Sequence, residues 1–283
     1  MVGVASVGAG GTGQLSVARV PALPAVEGSR SLETYMRNPD VACLRSQKAN
    51  IVKELLQQEV SPAADLWEAA YLRFETPEEE IGKFTKRLQR LGADQWPKEW
   101  RVVELFCGRG NGLHALAQLG FRHMEGVDLS PRLLAEYKGD AKCYAHDCRE
   151  LPFERGSKDA AIVQGGLHHL PVLPGDLERV FSELRRVIRP EGHVVFVEPW
   201  LTPFLRLVHK VSETKLARRC SVKLDALATM IENERHTYEN WLGRPQEISG
   251  LARRYFRVEQ ESIAWGKWNF VGKPREFGVT SDR

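Results

Sequence analysis

The stretch VVELFCGRGNGLHALAQLG carries an apolar, strand-like run straight into Gly108, Gly110 and Gly112, and then into a helix-like one. Glycine at such a turn lets a ligand approach the backbone, and the helix N-terminus behind it favours negative charge. Dinucleotides, flavins, nucleotides and adenosyl cofactors all use turns of this kind, so the next motifs decide. About twenty residues on, MEGVDLS closes a second apolar run with Asp128, where a carboxylate can accept the two hydroxyls of an adenosine ribose. CYAHDCRELPF then presents Asp147 and Cys148, and DAAIVQGGLHHLP ends a further run at Gln164 and Gly165. His168 and His169 follow, and an imidazole with a pKa near ~6.5 can take a proton from a hydroxyl.

These residues need elements that place them at one edge. RVVELF, MEGVDLS, DAAIVQGG and GHVVFVEP are short apolar runs separated by helical spacing in GLHALAQLGF and DLERVFSELRRVIRP. That alternation predicts a parallel sheet with crossover helices, an α/β core over residues 99–200. Ahead of it, Val41, Leu44, Ile51, Leu55 and Leu56, then Ile81, Phe84, Leu88 and Leu91, recur at helix spacing and predict an N-terminal helical cap over 31–98. Thr76 suits the N-cap of one such helix, with Pro77 first inside it, three glutamates in its first turn and Gly92 as its stop. Residues 201–254 return to helical spacing as a substrate-cover insertion, and FRVEQESIAW and KWNFVGKP form a closing hairpin over 255–276. Residues 1–30 and 277–283 are expected to be tails. The tail sequence Gly8-x-Gly10-x-x-Gly13 matches a dinucleotide fingerprint, but Pro21 and Pro24 would break the helix it requires.

With these motifs in this order, residues from about Trp100 to Pro199 resemble the class I S-adenosylmethionine-dependent methyltransferases, in the subgroup acting on small molecules. The resemblance implies a Rossmann-like methyltransferase fold, with a mainly parallel seven-stranded sheet, an antiparallel terminal hairpin and helical caps. It implies S-adenosyl-L-methionine as cofactor, S-adenosyl-L-homocysteine as product, and transfer of a methyl group to oxygen or nitrogen of a small-molecule acceptor. Residue by residue, it implies that Glu104 engages the cofactor's ammonium and that Gly108 and Gly110 let the methionine moiety lie against the backbone. Asp128 would take the ribose hydroxyls, Leu129 would pack on the adenine, Asp147 and the main chain of Cys148 would meet its exocyclic amine, and Gln164 and Gly165 would line the methionine side. Arg189 to Gly192 would form the turn before the fifth strand. His169 and His168 are the candidate catalytic residues, with Tyr238 and His236 behind them, and Glu198 either orients an acceptor or closes a core hydrogen bond.

One position departs from the family. Phe106 stands where a glycine is usual, and its side chain either narrows the cofactor's approach or points into the sheet. An NAD(P)-dependent oxidoreductase shares the glycine turn and Asp128, but the chain offers no Tyr-x-x-x-Lys pair for it at the expected place. A cofactor-binding protein without catalysis is the other alternative. LFCG also occurs in some RNA methyltransferases, yet their proline-containing cysteine motif is missing after the fourth strand, as is the Asn/Asp-Pro-Pro-aromatic motif.

Composition narrows the partners. Forty Lys and Arg against 37 Asp and Glu give a net charge of +3, without the basic excess of a nucleic-acid binder. No apolar run approaches the ~20 residues of a bilayer span, and no export signal opens the chain, so a cytoplasmic protein without a membrane partner is expected. Arg206, Lys210, Lys215, Arg218, Arg219 and Lys223 give the insertion a basic cast that would suit an acidic acceptor. Five cysteines without a CxxC pair read as reduced thiols, and no metal site is expected, since Cys143 and Cys148 would not converge along a strand.

Overall fold

Strands buried on both faces read as unbroken apolar runs, and the central strand here is of that kind: only the first residue of RVVEL is exposed. The computed structural model describes residues 62–276. Its sheet holds β1 (Arg101–Leu105), β2 (His123–Asp128), β3 (Lys142–Ala145), β4 (Lys158–Gln164), β5 (Ile188–Pro199), β6 (Phe256–Ala264) and β7 (Lys267–Pro274) in the order β3-β2-β1-β4-β5-β7-β6. The first five strands are parallel, while β7 runs antiparallel to both β5 and β6. Strand order reverses between β1 and β4, and open α/β sheets bind ligands at the carboxyl ends of strands beside such a reversal.

Successive β1 side chains enter opposite layers, as the strand period demands. Val103 and Leu105 join one apolar cluster with Phe181, Phe196, Trp241 and Trp268. Val102 joins the other with Leu88, Trp96, Leu113 and Ile162. The helices that cover the sheet are α1 (Pro62–Phe74), α2 (Pro77–Arg90), α3 (Asn111–Gln118), α4 (Pro131–Glu136) and α5 (Gly175–Val187). Between β5 and β6 come α6 (Pro203–Ser212), α7 (Lys215–Cys220), α8 (Val222–Leu242) and α9 (Pro245–Tyr255).

Thr76 caps α2 as its sequence predicts. Its side chain accepts from Glu79 N at 3.2 Å and Glu79 Oε2 accepts from Thr76 N at 3.1 Å, a reciprocal cap worth about 1 kcal/mol. Gly92 follows the helix at φ +81°.

Two local expectations change. Arg189 to Gly192 do not form a turn ahead of β5 but lie within it, at a register shift opposite Lys158 and Ala160. Glycine is needed at 192 because a Cβ there would press on the Asp159 carbonyl. The closing hairpin turns on Trp265-Gly266, with β6 ending one residue before Trp265. The two expected tails (residues 1–30 and 277–283), the helical spacing up to residue 61 and Cys43 lie outside the described residues. Cys107, Cys143, Cys148 and Cys220 are free thiols.

Candidate active site

The turn after β1 is built around a buried carboxylate. Glu104 lies under the start of α3, where any side chain on Gly112 would overlap it. Burial, reinforced by the neighbouring charge of Glu80, pushes its carboxyl up to about 8. Among the described residues, Glu104 Oε2 and the nearby Gln164 Nε2 are buried with no hydrogen-bond partner beyond a loose contact with each other. Such orphaned groups are costly in a finished core and expected where a ligand completes them. Arg87 donates to Gln164 Oε1 at 3.1 Å, and Asn111 donates to Glu80 Oε2 at 2.8 Å.

Asp128, at the end of β2, faces the same turn. Its Oδ2 accepts from Gly108 N at 2.8 Å and its Oδ1 from Ser130 N at 2.9 Å. Burial pushes its pKa up against these two N–H groups, which favour the ionised form. Each oxygen keeps a lone pair for a hydroxyl.

Beyond β4, the short helical turn Leu167–His169 presents two imidazoles with centroids 4.1 Å apart and planes tilted by 37°. Glu198 of β5 anchors the first: Oε1 accepts from Gly166 N and Leu167 N at 2.9 Å each, and Oε2 meets His168 Nδ1 at 2.7 Å. Burial, helped by the adjacent His169, lowers the His168 pKa. His169 Nδ1 lies 3.1 Å from Glu234 Oε2. Burial pulls His169 down too, but the Glu234 carboxylate outweighs it and the pKa is raised. Glu234 marks a break in α8, with φ −116° and ψ 15°, and there its carboxylate reaches the imidazole. His168, His169 and Glu234 together hold ligand-type atoms within 4.8 Å of one another, where the sequence predicts no metal site.

All three groups open into one cavity of about 1220 Å³. That exceeds the ~300–1,000 Å³ of a typical single-ligand pocket, leaving room for a cofactor and an acceptor together. Of the residues singled out from the sequence, Glu104, Phe106, Gly108, Asp128, Leu129, Gln164, Gly165, His168, His169, His236 and Tyr238 line it.

Residues 103–196 match the sequence family described as "Methyltransferase domain". These residues are a class I methyltransferase domain. Over 125 residues the chain is 37% identical to a demethylmenaquinone methyltransferase of Beutenbergia cavernae, covering 41% of this chain and 48% of that one. Over 137 residues it is 27% identical to a glycine/sarcosine/dimethylglycine N-methyltransferase of Actinopolyspora halophila, covering 44% and 24%. The chain thus spans about half the length of the first relative and less of the second. Among solved structures, the PH0226 protein of Pyrococcus horikoshii superposes with a TM-score of 0.49 at 20% identity, over 67% of this chain and 89% of that one.

Within the methyltransferase domain three expected contacts are absent from the cavity wall. Gly110 is covered by the Tyr137 ring and serves instead as the left-handed N-cap of α3. Asp147 is held by Arg149, whose Nη2 meets its Oδ2 at 2.7 Å, and Cys148 is buried in the core cluster. Phe106 takes the family glycine's place at φ +56°, and its ring packs on Gly166, where a Cβ would overlap it. Of the six basic residues in the insertion, Lys223 borders the cavity and is paired with Glu79. The wall also contains Trp67, Tyr71, Glu80, Arg87, Glu234 and Lys267, which motif reading missed. They come from α1, α2, α8 and β7, so no local spacing links them to the glycine turn; the one local sign was the strong N-terminal cap of α2.

Proposed function

We propose that the protein is an S-adenosylmethionine-dependent methyltransferase acting on oxygen or nitrogen of a small-molecule acceptor. One observation carries this reading: the buried Glu104 oxygen and Gln164 amide, with no partner beyond each other, stand at one side of the glycine turn, and Asp128 stands at the other, in a single cavity. A carboxylate with no cation suits an ammonium, and a carboxylate with spare lone pairs suits vicinal hydroxyls. Both groups belong to S-adenosylmethionine, and the residues present fit it.

In this reading Glu104, Gln164 and Gly165 hold the methionine end, with Arg87 supplying a cation for its carboxylate. Gly108 gives the backbone room, Asp128 takes the ribose, and Leu129 covers the base. When bound, the cofactor supplies a methyl group already made electrophilic by its sulfonium, so the protein mainly aligns the acceptor and excludes water. His169 accepts the proton that the acceptor's hydroxyl or amine loses, and Glu234 steadies the imidazolium that forms. The names of the relatives, a demethylated quinone in one and glycine derivatives in another, support a small acceptor.

Calorimetric titration with S-adenosylmethionine, S-adenosylhomocysteine and NAD tests the reading. Micromolar binding of the two adenosyl ligands, absent for NAD and weakened about tenfold to a hundredfold in Asp128→Ala, is the expected result. A folded protein that binds NAD, or neither adenosyl ligand, would overturn it.

A further inference from the structure

The turn that closes the sheet carries two costs at one residue. Trp265 and Gly266 form a two-residue hairpin connection in which both residues have positive φ, 52° and 75°. Such turns favour Asn-Gly, because a bulky side chain at positive φ is strained. The same Trp265 is 78% exposed, leaving a large indole in water. Inside the domain the indole meets Phe204 and the cavity rim, contacts that leave most of it in water.

Its surroundings extend the exposed apolar surface. Phe204 of α6 meets the Trp265 ring edge-on at 5.3 Å, and Leu205 lies against Gly266, so α6 and the hairpin tip form one surface. Along α6, Phe204, Leu207 and Val211 share a stripe at positions i, i+3 and i+7, exposed by 44%, 60% and 38%. The inward face of the same helix is already satisfied: Leu205 packs on the core, His209 bonds Tyr238 at 3.1 Å, and Ser212 is buried. The outward stripe is therefore a second apolar face on one short helix.

Cations flank it. Residues 203–223 hold six Lys and Arg against one acid, Glu213. Arg218 and Lys223 are engaged in ion pairs, while Arg206, Lys210, Lys215 and Arg219 are exposed and have no acidic partner among the described residues. An apolar stripe with an aromatic rim and unpaired lysines and arginines beside it matches an interfacial helix on an anionic bilayer. A protein partner would more often cover such a stripe with few charges at its core. Surface docking needs no spanning helix, and none of the described helices is long and apolar enough to cross a membrane.

The geometry points to α6 and the Trp265-Gly266 turn as a docking face for an anionic lipid surface, through which a lipophilic acceptor enters the cavity. Phe204 and Trp265 belong both to this face and to the cavity wall, with Leu205 and Val208 behind them in that wall, so the rim of the site is the part that meets the lipid. The docking face stands on its own geometry; the acceptor class rests on the methyltransferase reading.

Sedimentation with vesicles of phosphatidylglycerol and phosphatidylcholine, compared with phosphatidylcholine alone, tests the face. The full chain should bind the anionic vesicles and release them at high salt. Leu207→Ser with Val211→Ser, neither of which borders the cavity, should weaken vesicle binding about tenfold while S-adenosylhomocysteine binding persists. Trp265→Asn should weaken vesicle binding and raise the melting temperature, because it relieves the strained turn. A folded protein that binds S-adenosylhomocysteine but ignores anionic vesicles overturns the docking face and leaves the enzymatic reading standing. A concentration-dependent dimer abolished by Leu207→Ser with Val211→Ser assigns the face to a second copy and overturns it equally. Vesicle binding without adenosyl binding keeps the face and removes the acceptor class.

Discussion

His169 takes its carboxylate partner from Glu234 of the helical insertion, while the adjacent His168 takes its own from Glu198 of the sheet. Two imidazoles this close resist double protonation, and the environment settles which one is charged. Burial holds His168 toward the neutral form, whereas Glu234 makes His169 the more basic of the two. The sheet thus fixes the scaffold of the site, and the insertion sets the basicity of His169.

Methyl transfer to a hydroxyl or amine should therefore rise with pH as His169 loses its proton, above the ordinary histidine value. Glu234→Gln removes the group that raises that pKa, so the rise should move to lower pH. His169→Asn should lower kcat by about a hundredfold or more, the usual worth of a positioned base. A pH–rate profile that Glu234→Gln leaves unmoved would rule out the pairing as the tuning element. Stability follows the same sign. A raised folded pKa stabilises below the unfolded value and is lost as pH rises through the folded one, so Glu234→Gln should flatten the stability profile around neutral pH.

Glu104 gives a second proton-linked prediction. With its carboxyl raised to about 8, it is mostly protonated at neutral pH before ligand binds. That stabilisation is present in acid and fades as pH rises toward the folded pKa. An incoming ammonium reverses the balance, because a cation beside the carboxyl favours its ionised form. S-adenosylhomocysteine binding at pH 7 should release up to about one proton, read as a binding enthalpy that changes with the buffer's ionisation enthalpy. Glu104→Gln should erase that buffer dependence and weaken binding.

Asp147 tests the limit of motif reading. Its carboxylate accepts from Arg149 N at 2.8 Å and from the Arg149 guanidinium, which also reaches Asp176 at 3.0 Å. Burial would raise its pKa, but Arg149 outweighs this and lowers it. The stability it contributes is present above the unfolded pKa and lost as pH falls through the folded one. Asp147→Ala should cost about 1–2 kcal/mol of folding stability in denaturant melts. It should leave S-adenosylhomocysteine affinity unchanged; a large loss of affinity would restore Asp147 to the cofactor site.

These cases mark what the chain declares locally. The central sheet is legible because parallel strands are short apolar runs, and the Glu104, Gly108 and Asp128 cluster is legible because it lies at strand ends with a fixed spacing. At Asp147 the motif does not declare the partner, because Arg149, two residues away, holds the carboxylate. Glu234 is silent in the sequence, since its role depends on a helix break and on α8 packing over the mouth of β4. Trp265 was read as the end of a strand, and only its backbone conformation reveals it as the turn.

Phe106 offers the last test, because the sequence left open whether it blocks the cofactor or serves the core. Its ring lies on Gly166 and packs against the core cluster, so glycine at 166 is the complement of phenylalanine at 106. Gly166→Ala should cost about 1–3 kcal/mol by forcing the ring aside. Phe106→Gly loses the ring's packing but regains about 1–2 kcal/mol from the relieved left-handed backbone, so its net cost should be modest. In the double variant the Gly166→Ala penalty should largely vanish, a coupling that denaturant melts on the four proteins can measure. S-adenosylhomocysteine affinity should not rise in Phe106→Gly. A rise would show that the ring obstructs the methionine end, and additive costs in the cycle would show that the two positions are not complementary.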